Sequence, residues 1–532
     1  MARQILFDAQ ARKHLKAGMD MLAEAVGVTL GPRGRYVVIE RKHDTPILTR
    51  DGGEVAKHLR LKAPFPEMGV NLLRRVAIQV GKKVGDGISM SIVLAHSLID
   101  SGIKNLVSGA HPMDMKAGMD LAVSRAVAHL KGMGEPVHVG SRELEYVARV
   151  AANQDADMGR IVAEAMGKAG SNGLITIEPG QGRESLIEMK EGMQFDRGFI
   201  SPFFITDMAN MEAVLEDPYI LIYDRKITDT RDLLPILNEC ASQGRSLLII
   251  AEAIEENPLT TLVLNKIRGR LKIAAIRSPG FGDHRCDMLE DAAAFTSGTV
   301  LSAEKGNLLK YASLDTLGRT DKAILSRDHT ALILDHQGSN DRVADRIHEI
   351  QTRLKNNPSL ADKKVLEERL SRLSGSAAVI KIGASTRTEL AEKKARANDA
   401  LHASKAALEE GILPGGGVAF IRTQQALEDL RGMNPDQNTG IQMVRRALEE
   451  PMRRIIINTG TEVSESLYRV KQSSGAFGFN VQNLQYEDLL KAGIPDAVKV
   501  LRIALETAVS IAGAFLTLEC AIAEDTKASR KL

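Results

Sequence analysis

The repeat of apolar residues changes its period twice along the chain, and this limits the possible fold more than any single motif. Near the start, Leu15, Met19, Leu22 and Val26 recur at spacings of four, three and four, which places them on one face of a helix. That helix stops at Gly31-Pro32-Arg33-Gly34, and the β-prone run Tyr36-Val37-Val38-Ile39 follows. After the turn Asp51-Gly52-Gly53, a long helical pattern carries Val70, Leu73, Val76, Val80 and Val84. It breaks at Gly85-Asp86-Gly87 and resumes through Val93, Leu94, Leu98, Ile99 and Ile103. The middle of the chain behaves differently. Short apolar runs at 219–223, 247–250 and 271–276 alternate with helical patterns near 231–241 and 257–268, which predicts an α/β module with a largely parallel sheet. Val343, Ile347, Ile350 and Leu354, a break at Asn356-Asn357-Pro358, then Leu366, Leu370 and Leu373 predict an αα-hairpin with charged, solvated outer faces. The last third is helical again. A helix over 400–408 runs into Gly411-Ile412-Leu413-Pro414-Gly415-Gly416-Gly417, where the glycines permit close approach of a neighbouring helix or a ligand. The order helical, α/β, helical is explained most economically by an α/β module inserted into a helical domain whose two halves pair in space.

Composition narrows the function classes. A chain of 532 residues is too long for one core and implies roughly three or four domains. With 70 Lys and Arg against 68 Asp and Glu, it lacks the electrostatic footprint of a dedicated nucleic-acid or anionic-membrane binder. Cys240, Cys286 and Cys520 lie far apart, so neither a disulfide framework nor a CxxC zinc pair is expected, which suits a reducing cytoplasm. Asp8 interrupts the start where a signal peptide would be apolar, and no stretch approaches the ~18–20 apolar residues of a membrane helix.

Familiar catalytic signatures are missing. Gly81-Lys82 and Gly167-Lys168 lack the upstream glycine and the following Ser or Thr of a P-loop, and no HExxH or GxSxG occurs. What remains is a set of aspartates in glycine-rich or helical settings: Asp51, Asp86, Asp399 and Asp496. A helix–GDG–helix junction lets backbone N–H groups approach a ligand at the positive end of a helix. Mg²⁺ in nucleotide sites takes one or two carboxylates plus phosphate oxygens. Each aspartate alone reads first as a turn former or helix cap rather than a site residue, so spacing goes no further than a candidate phosphate binder.

Five ordered blocks go further: Val28-Thr29-Leu30-Gly31-Pro32-Arg33-Gly34-Arg35, Gly192-Met193-Gln194-Phe195-Asp196-Arg197-Gly198, Pro279-Gly280-Phe281-Gly282-Asp283, Lys393-Lys394-Ala395-Arg396 running on to Asp399-Ala400-Leu401-His402-Ala403, and Gly415-Gly416-Gly417-Val418-Ala419. In these the chain resembles the group I chaperonins, the GroEL-type 60 kDa family, over essentially its whole length. The resemblance implies a multidomain α and α/β fold. A mostly helical equatorial ATP-binding domain would span 1–133 and 410–532, a small intermediate hinge domain 134–190 and 378–409, and an inserted α/β apical domain 191–377. It implies an ATPase coupled to protein folding, using ATP and Mg²⁺, with K⁺ as an open addition. Its partners would be unfolded clients, a small GroES-type co-chaperonin and further copies of the chain in two stacked seven-membered rings, without nucleic acid or membrane.

Carried over residue by residue, Thr29, Leu30, Gly31 and Pro32 look like the loop around the phosphates, and Arg50 stands where the family usually has Lys. Asp86 matches the Mg²⁺-binding aspartate, Asp399 the carboxylate that positions the hydrolytic water, and Asp51 its supporting acid. Gly416 and Asp496 match residues flanking base and ribose, and Asn480 opens an adenine-side segment that Val481-Gln482 alters. After Asp86-Gly87 the family normally shows three threonines, whereas this chain has Ile88-Ser89-Met90. The expectation is retained nucleotide binding with slowed hydrolysis, Ser91 being a candidate replacement hydroxyl. A divergent paralogue that holds clients without efficient turnover is the alternative. A metabolic phosphotransferase is disfavoured because no second substrate site can be named.

The helical patterns near 231–241 and 257–268 carry more apolar residues than one core-facing stripe needs; the pattern by itself favours two-sided burial, with an exposed binding patch as the alternative. By resemblance, Leu234, Leu237, Leu259, Val263 and Leu264, with Phe199, Phe203 and Phe204, would bind clients. Pro136 with Gly411, and Gly192 with Gly375 inside Ser374-Gly375-Ser376, would serve as joints. The near-neutral charge and the tail Ala528-Ser529-Arg530-Lys531-Leu532, which lacks Gly-Gly-Met repeats, depart from many relatives.

Overall fold

The computed structural model describes residues 3–41, 46–170, 173–180, 182–208, 210–280, 283–302, 304, 306–334, 341–355, 360–373 and 375–524. The predicted break at Asn356-Asn357-Pro358, together with Phe281-Gly282, Ser374 and the tail residues Ala528-Ser529-Arg530-Lys531-Leu532, lies outside them. Two compact units result, one from 1–164, 182–184 and 382–532, the other from 165–181 and 185–381.

In the first unit, helices from the two ends of the chain pack together as the pattern predicts. Helices Asp8–Gly27, Pro64–Val84, Ile88–Val107 and Pro112–Met133 meet Pro435–Ala447 and Val498–Leu516. Leu15, Met19, Leu22 and Val26 are fully buried along their shared face. Strand Arg3–Phe7 pairs antiparallel with Cys520–Glu524, Ile5 opposite Ile522, so the two chain ends are also joined by backbone hydrogen bonds. Helices Asp8–Gly27 and Pro64–Val84 cross backbone to backbone: a Cβ on Gly69 would overlap the carbonyl oxygen of Leu15, and one on Gly18 that of Pro66. Gly69→Val is therefore expected to cost about 1–3 kcal/mol through overpacking, seen as an earlier calorimetric transition. Beside Pro136, Glu135 and Ile412 exchange backbone hydrogen bonds of 2.9 and 2.8 Å next to Gly411.

Among its described residues, the second unit holds two sheets. Strands Tyr219–Ile227, Leu247–Ile254 and Ile273–Arg277 run parallel in that order, with Val300–Leu301 parallel to Tyr219–Ile227 on its other side. Ile220, Leu248, Ile249 and Ile250 are fully buried, as the continuous apolar runs require. A six-stranded sheet, which the sequence pattern did not predict, includes Ser376–Ile382, Leu186–Phe195, Thr330–Leu334, Lys322–Leu325 and Ala213–Glu216, paired antiparallel in that order. Gly192 donates its N–H to Gly375 O at 3.2 Å within this unit.

The αα-hairpin exists as helices Asp341–Lys355 and Leu360–Leu373, but its charges are not all solvated. Arg369, 1% exposed, grips Asp291 through Nε–Oδ2 at 2.7 Å and Nη2–Oδ1 at 2.9 Å, and Arg346 Nε also reaches Asp291 Oδ1 at 2.7 Å. Among the described residues, no helix is long and apolar enough to cross a membrane.

Candidate functional site

The site in the first unit is built at a break between two helices. Helix Pro64–Val84 ends on Gly85 and helix Ile88–Val107 begins after Gly87; both glycines are left-handed, with φ of 70° and 79°. Gly85 is also required sterically, because a Cβ there would overlap the imidazole of His402. Between them Asp86 is locked by its own turn, its Oδ1 accepting the Gly87 N–H at 2.6 Å. The first backbone N–H groups of helix Ile88–Val107 have no acceptors within the helix, the usual condition for binding an anion.

Three further carboxylates arrive from distant segments. Asp51 caps helix Gly52–His58, its Oδ1 accepting from Gly53 N at 2.7 Å. Asp399 projects from helix Arg387–Glu410. Asp496 lies on strand Pro495–Ala497, which pairs with Ile412–Pro414 beside the glycine run. The convergence shows in their mutual electrostatics. Burial pushes Asp86 up to about 6, with the Asp51 charge adding to it. Burial pushes Asp496 up to about 7, with Asp86 adding. Asp399 is raised well above the ordinary carboxylate range by burial and then by Asp51 and Asp86. Asp51 is raised too, chiefly by burial, against the stabilising Gly53 N–H. All four keep some accessible surface while protein surrounds them. Among the described residues, no three His, Cys, Asp or Glu side chains converge closely enough to chelate a metal by themselves.

The residues expected to form a phosphate loop lie around this break. Thr29 Oγ1 lies 3.4 Å from Ser89 Oγ while donating to Val26 O at 2.7 Å. Gly31 is left-handed at φ 84° and sits against Ile455, Leu30 is half-buried, and Pro32 O accepts Arg50 Nη2 at 3.0 Å. Arg50 also lies over the Tyr36 ring, 5.6 Å from its centroid, and its buried Nε has no partner. A guanidinium thus stays docked where an ammonium would swing freely. Gly416 is left-handed at φ 62°. Asn480 spends its side chain internally, donating to Glu487 Oε1 at 2.7 Å and accepting from Gln482 N at 3.0 Å. The expectation that Ser91 could replace a lost hydroxyl is overturned: it is fully buried and donates to Ile88 O at 2.7 Å. Ile88 and Met90 leave Ser89 as the one hydroxyl side chain among the first three residues of the helix.

Two neighbours escaped the sequence reading. His402, three residues beyond Asp399 and so on the same helix face, is exposed at its surface yet hemmed in by protein, which lowers it to about 4, with Lys405 contributing. That spacing was a usable signal. Arg149 offered none: it lies over Tyr146 and donates to Gly493 O at 2.8 Å, bracing the turn before Asp496 across 344 residues of sequence.

Residues 22–526 match the TCP-1/cpn60 chaperonin family. The chain belongs to that family. The chaperonin is also similar in fold to chaperonin gp146 from bacteriophage EL 2 (Pseudomonas aeruginosa), crystallised in the presence of ATP-BeFx. One crystal form aligns at TM-score 0.69 and another at 0.62, each 22% identical and covering 98% of this chain and 99% of the other. The expected multidomain α and α/β organisation and the family resemblance are therefore met, and a chaperone's place in protein folding comes with the family.

The second unit of the chaperonin divides the proposed client residues. Phe203 is 63% exposed, Leu264 45% and Leu234 43%, while Leu259, Val263 and Phe199 are partly buried against the core. Leu237, 3% exposed, and Phe204, fully buried, belong to that core and are withdrawn from the surface. On helix Leu234–Gln243, Leu237 shares its buried face with Ile236 and Cys240. Phe204 ends the 3-10 turn Pro202–Phe204, which points Phe203 outward and its neighbour inward. Ile267, 60% exposed, extends the apolar surface on helix Glu256–Ile267.

Proposed function

We propose that this chaperonin binds non-native proteins on the exposed apolar surface of its second unit and releases them through ATP binding and hydrolysis in its first. The observation that carries the ATP part is the convergence of Asp51, Asp86, Asp399 and Asp496 from four segments with their carboxylates raised by burial and mutual repulsion. Such a cluster is costly alone and favourable beside a bound cation. Asp86 is the residue proposed to hold Mg²⁺, which when bound neutralises phosphate charge. Asp399 orients the attacking water and takes up its proton, with Asp51 as supporting acid. The free N–H groups at the start of helix Ile88–Val107, with Ser89 and the 29–32 loop, receive phosphate oxygens. Arg50 supplies fixed positive charge, and Gly416 and Asp496 flank the nucleoside.

The equatorial, intermediate and apical division, the two stacked seven-membered rings, the GroES-type co-chaperonin and any K⁺ belong to the same reading and rest on family resemblance. A second reading, a client-holding paralogue with weak turnover, is favoured by Ile88 and Met90 in the phosphate-facing turn.

Client release separates the two. Suppression of aggregation of a denatured client, followed by its release, is expected with ATP and not with a non-hydrolysable analogue; release by both alike points to the holding protein. Phe203→Asp/Leu264→Asp is expected to weaken client capture by at least about tenfold, with nucleotide binding by calorimetry unchanged. Full capture by the double variant would remove the apolar surface from the proposal.

A further inference from the structure

Helix Glu256–Ile267 does more than present apolar side chains. Leu264, Ile267 and Arg268 follow at i, i+3 and i+4 and share a face, and the helix ends on left-handed Gly269, φ 68°. The Arg268 N–H donates to Leu264 O and the Arg270 N–H to Asn265 O, both at 3.0 Å. Arg268 and Arg270 thus flank the terminating glycine, with Lys272 two residues on; all three are exposed. The 3-10 turn Pro202–Phe204 packs on the same helix. Lys266 Nζ donates to Ile205 O at 2.8 Å, which brings the Phe203 segment to this basic end.

Cations at a helix C-terminus are ordinarily explained by the helix dipole. Their place beside an exposed apolar surface is the informative part. Exposed Arg225 and Arg231 are held by Glu304 at 3.0 Å and Asp229 at 2.6 Å, and half-buried Arg245 by Asp217 at 2.6 Å. Among the described residues, Arg268, Arg270 and Lys272 have no carboxylate within ion-pair distance. The acids of the helix, Glu255 and Glu256, sit at its opposite end. An apolar surface bordered on one side by unpaired cations complements a ligand of matching asymmetry.

We infer that the apolar face of helix Glu256–Ile267 selects client segments whose aliphatic or aromatic side chains are flanked by carboxylates, the carboxylates lying over Arg268 and Arg270. This rests on reading that face as the client surface and adds the chemistry by which it discriminates. Apolar burial supplies attraction without direction, whereas the cations fix which end of the segment lies where and reject segments flanked by lysine.

The test uses the full chain and dye-labelled peptides that share one leucine-rich body and end in glutamates, glutamines or lysines, with binding read by fluorescence anisotropy. At low salt the glutamate peptide is expected to bind on the order of tenfold more tightly than the lysine peptide, the glutamine peptide falling between. High salt should shrink the difference. R268Q/R270Q should abolish the preference and R268E/R270E reverse it. Both positions are exposed, and circular dichroism verifies that each variant is folded. Equal binding of the three peptides, or a preference that survives charge reversal, overturns the inference while leaving the apolar client surface standing. Failure of the glutamine peptide to bind at all overturns both.

Discussion

Asp399→Asn is expected to lower ATP turnover by at least about 100-fold, the scale of a lost general base, while nucleotide binding persists and the ligand-free protein becomes more stable at pH 8. The two effects share one cause. Asp399 is held well above its ordinary 3.8 by burial and by the charges of Asp51 and Asp86, a state useful for taking up a proton and unfavourable for an ionised group. The folded chain therefore keeps protons that the unfolded chain has released. Stability from these groups is intact below pH 3.8 and is lost as pH rises through about 6 for Asp86 and about 7 for Asp496, with Asp399 contributing to the same decline. Asparagine cannot ionise and relieves its neighbours as well. Thermal melts at pH 5 and pH 8 should show the parent losing stability over this interval and Asp399→Asn losing less. Adding Mg²⁺ and ATP should raise the parent's melting temperature more at pH 8 than at pH 5, because at pH 5 the ligand must displace more protons. Retained turnover would remove Asp399 from the chemistry. An unchanged pH slope would mean that the four carboxylates do not repel one another.

How far such a cluster can be read in advance depends on the range of the forces that make it. The Gly85-Asp86-Gly87 break was legible because left-handed glycines and helix ends are local properties. The helical ends and the parallel strands were legible because burial imposes a period on neighbouring residues. The meeting of Asp86 with Asp399 and Asp496 was not, since nothing within reach of Asp86 along the chain encodes a partner hundreds of residues away. The same holds for Arg369 and Asp291, 78 residues apart, whose buried pairing made part of a predicted solvated face into interior. The antiparallel sheet was missed because strands such as Lys322–Leu325 are too short to show alternation. Leu237 and Phe204 failed for a different reason: a helix or turn apolar on two sides does not say which side meets the core, and packing decides it. Family resemblance supplied the roles but could not supply orientation.

Ile88→Thr/Met90→Thr is expected to raise turnover by at least about tenfold over the parent. Two hydrogen bonds to a charged phosphate, at roughly 1.5–3 kcal/mol each, amount to about 3–6 kcal/mol, and each 1.36 kcal/mol expressed in the transition state is about tenfold in rate. The full value is an upper bound, because part of it tightens ground-state binding without acceleration. The surroundings allow the change. Ile88 Cδ1 lies 3.1 Å from where a Cβ on Gly53 would stand and 3.4 Å from one on Gly81, so it fills a gap between two glycines that a shorter threonine also enters. That exchange forfeits apolar contact, and the double variant should melt a few degrees lower even as it turns over faster, the reverse of what general stabilisation of the fold would produce. Ser91 cannot already be supplying the missing hydroxyl, since its proton is committed to Ile88 O. Ser89→Ala in the parent should therefore slow turnover further, whereas in the double variant, where two threonines share the load, its effect should be smaller. Phosphate release measured across the four proteins checks this. An unchanged rate in the double variant would show that the backbone N–H groups of the first turn carry the phosphates unaided.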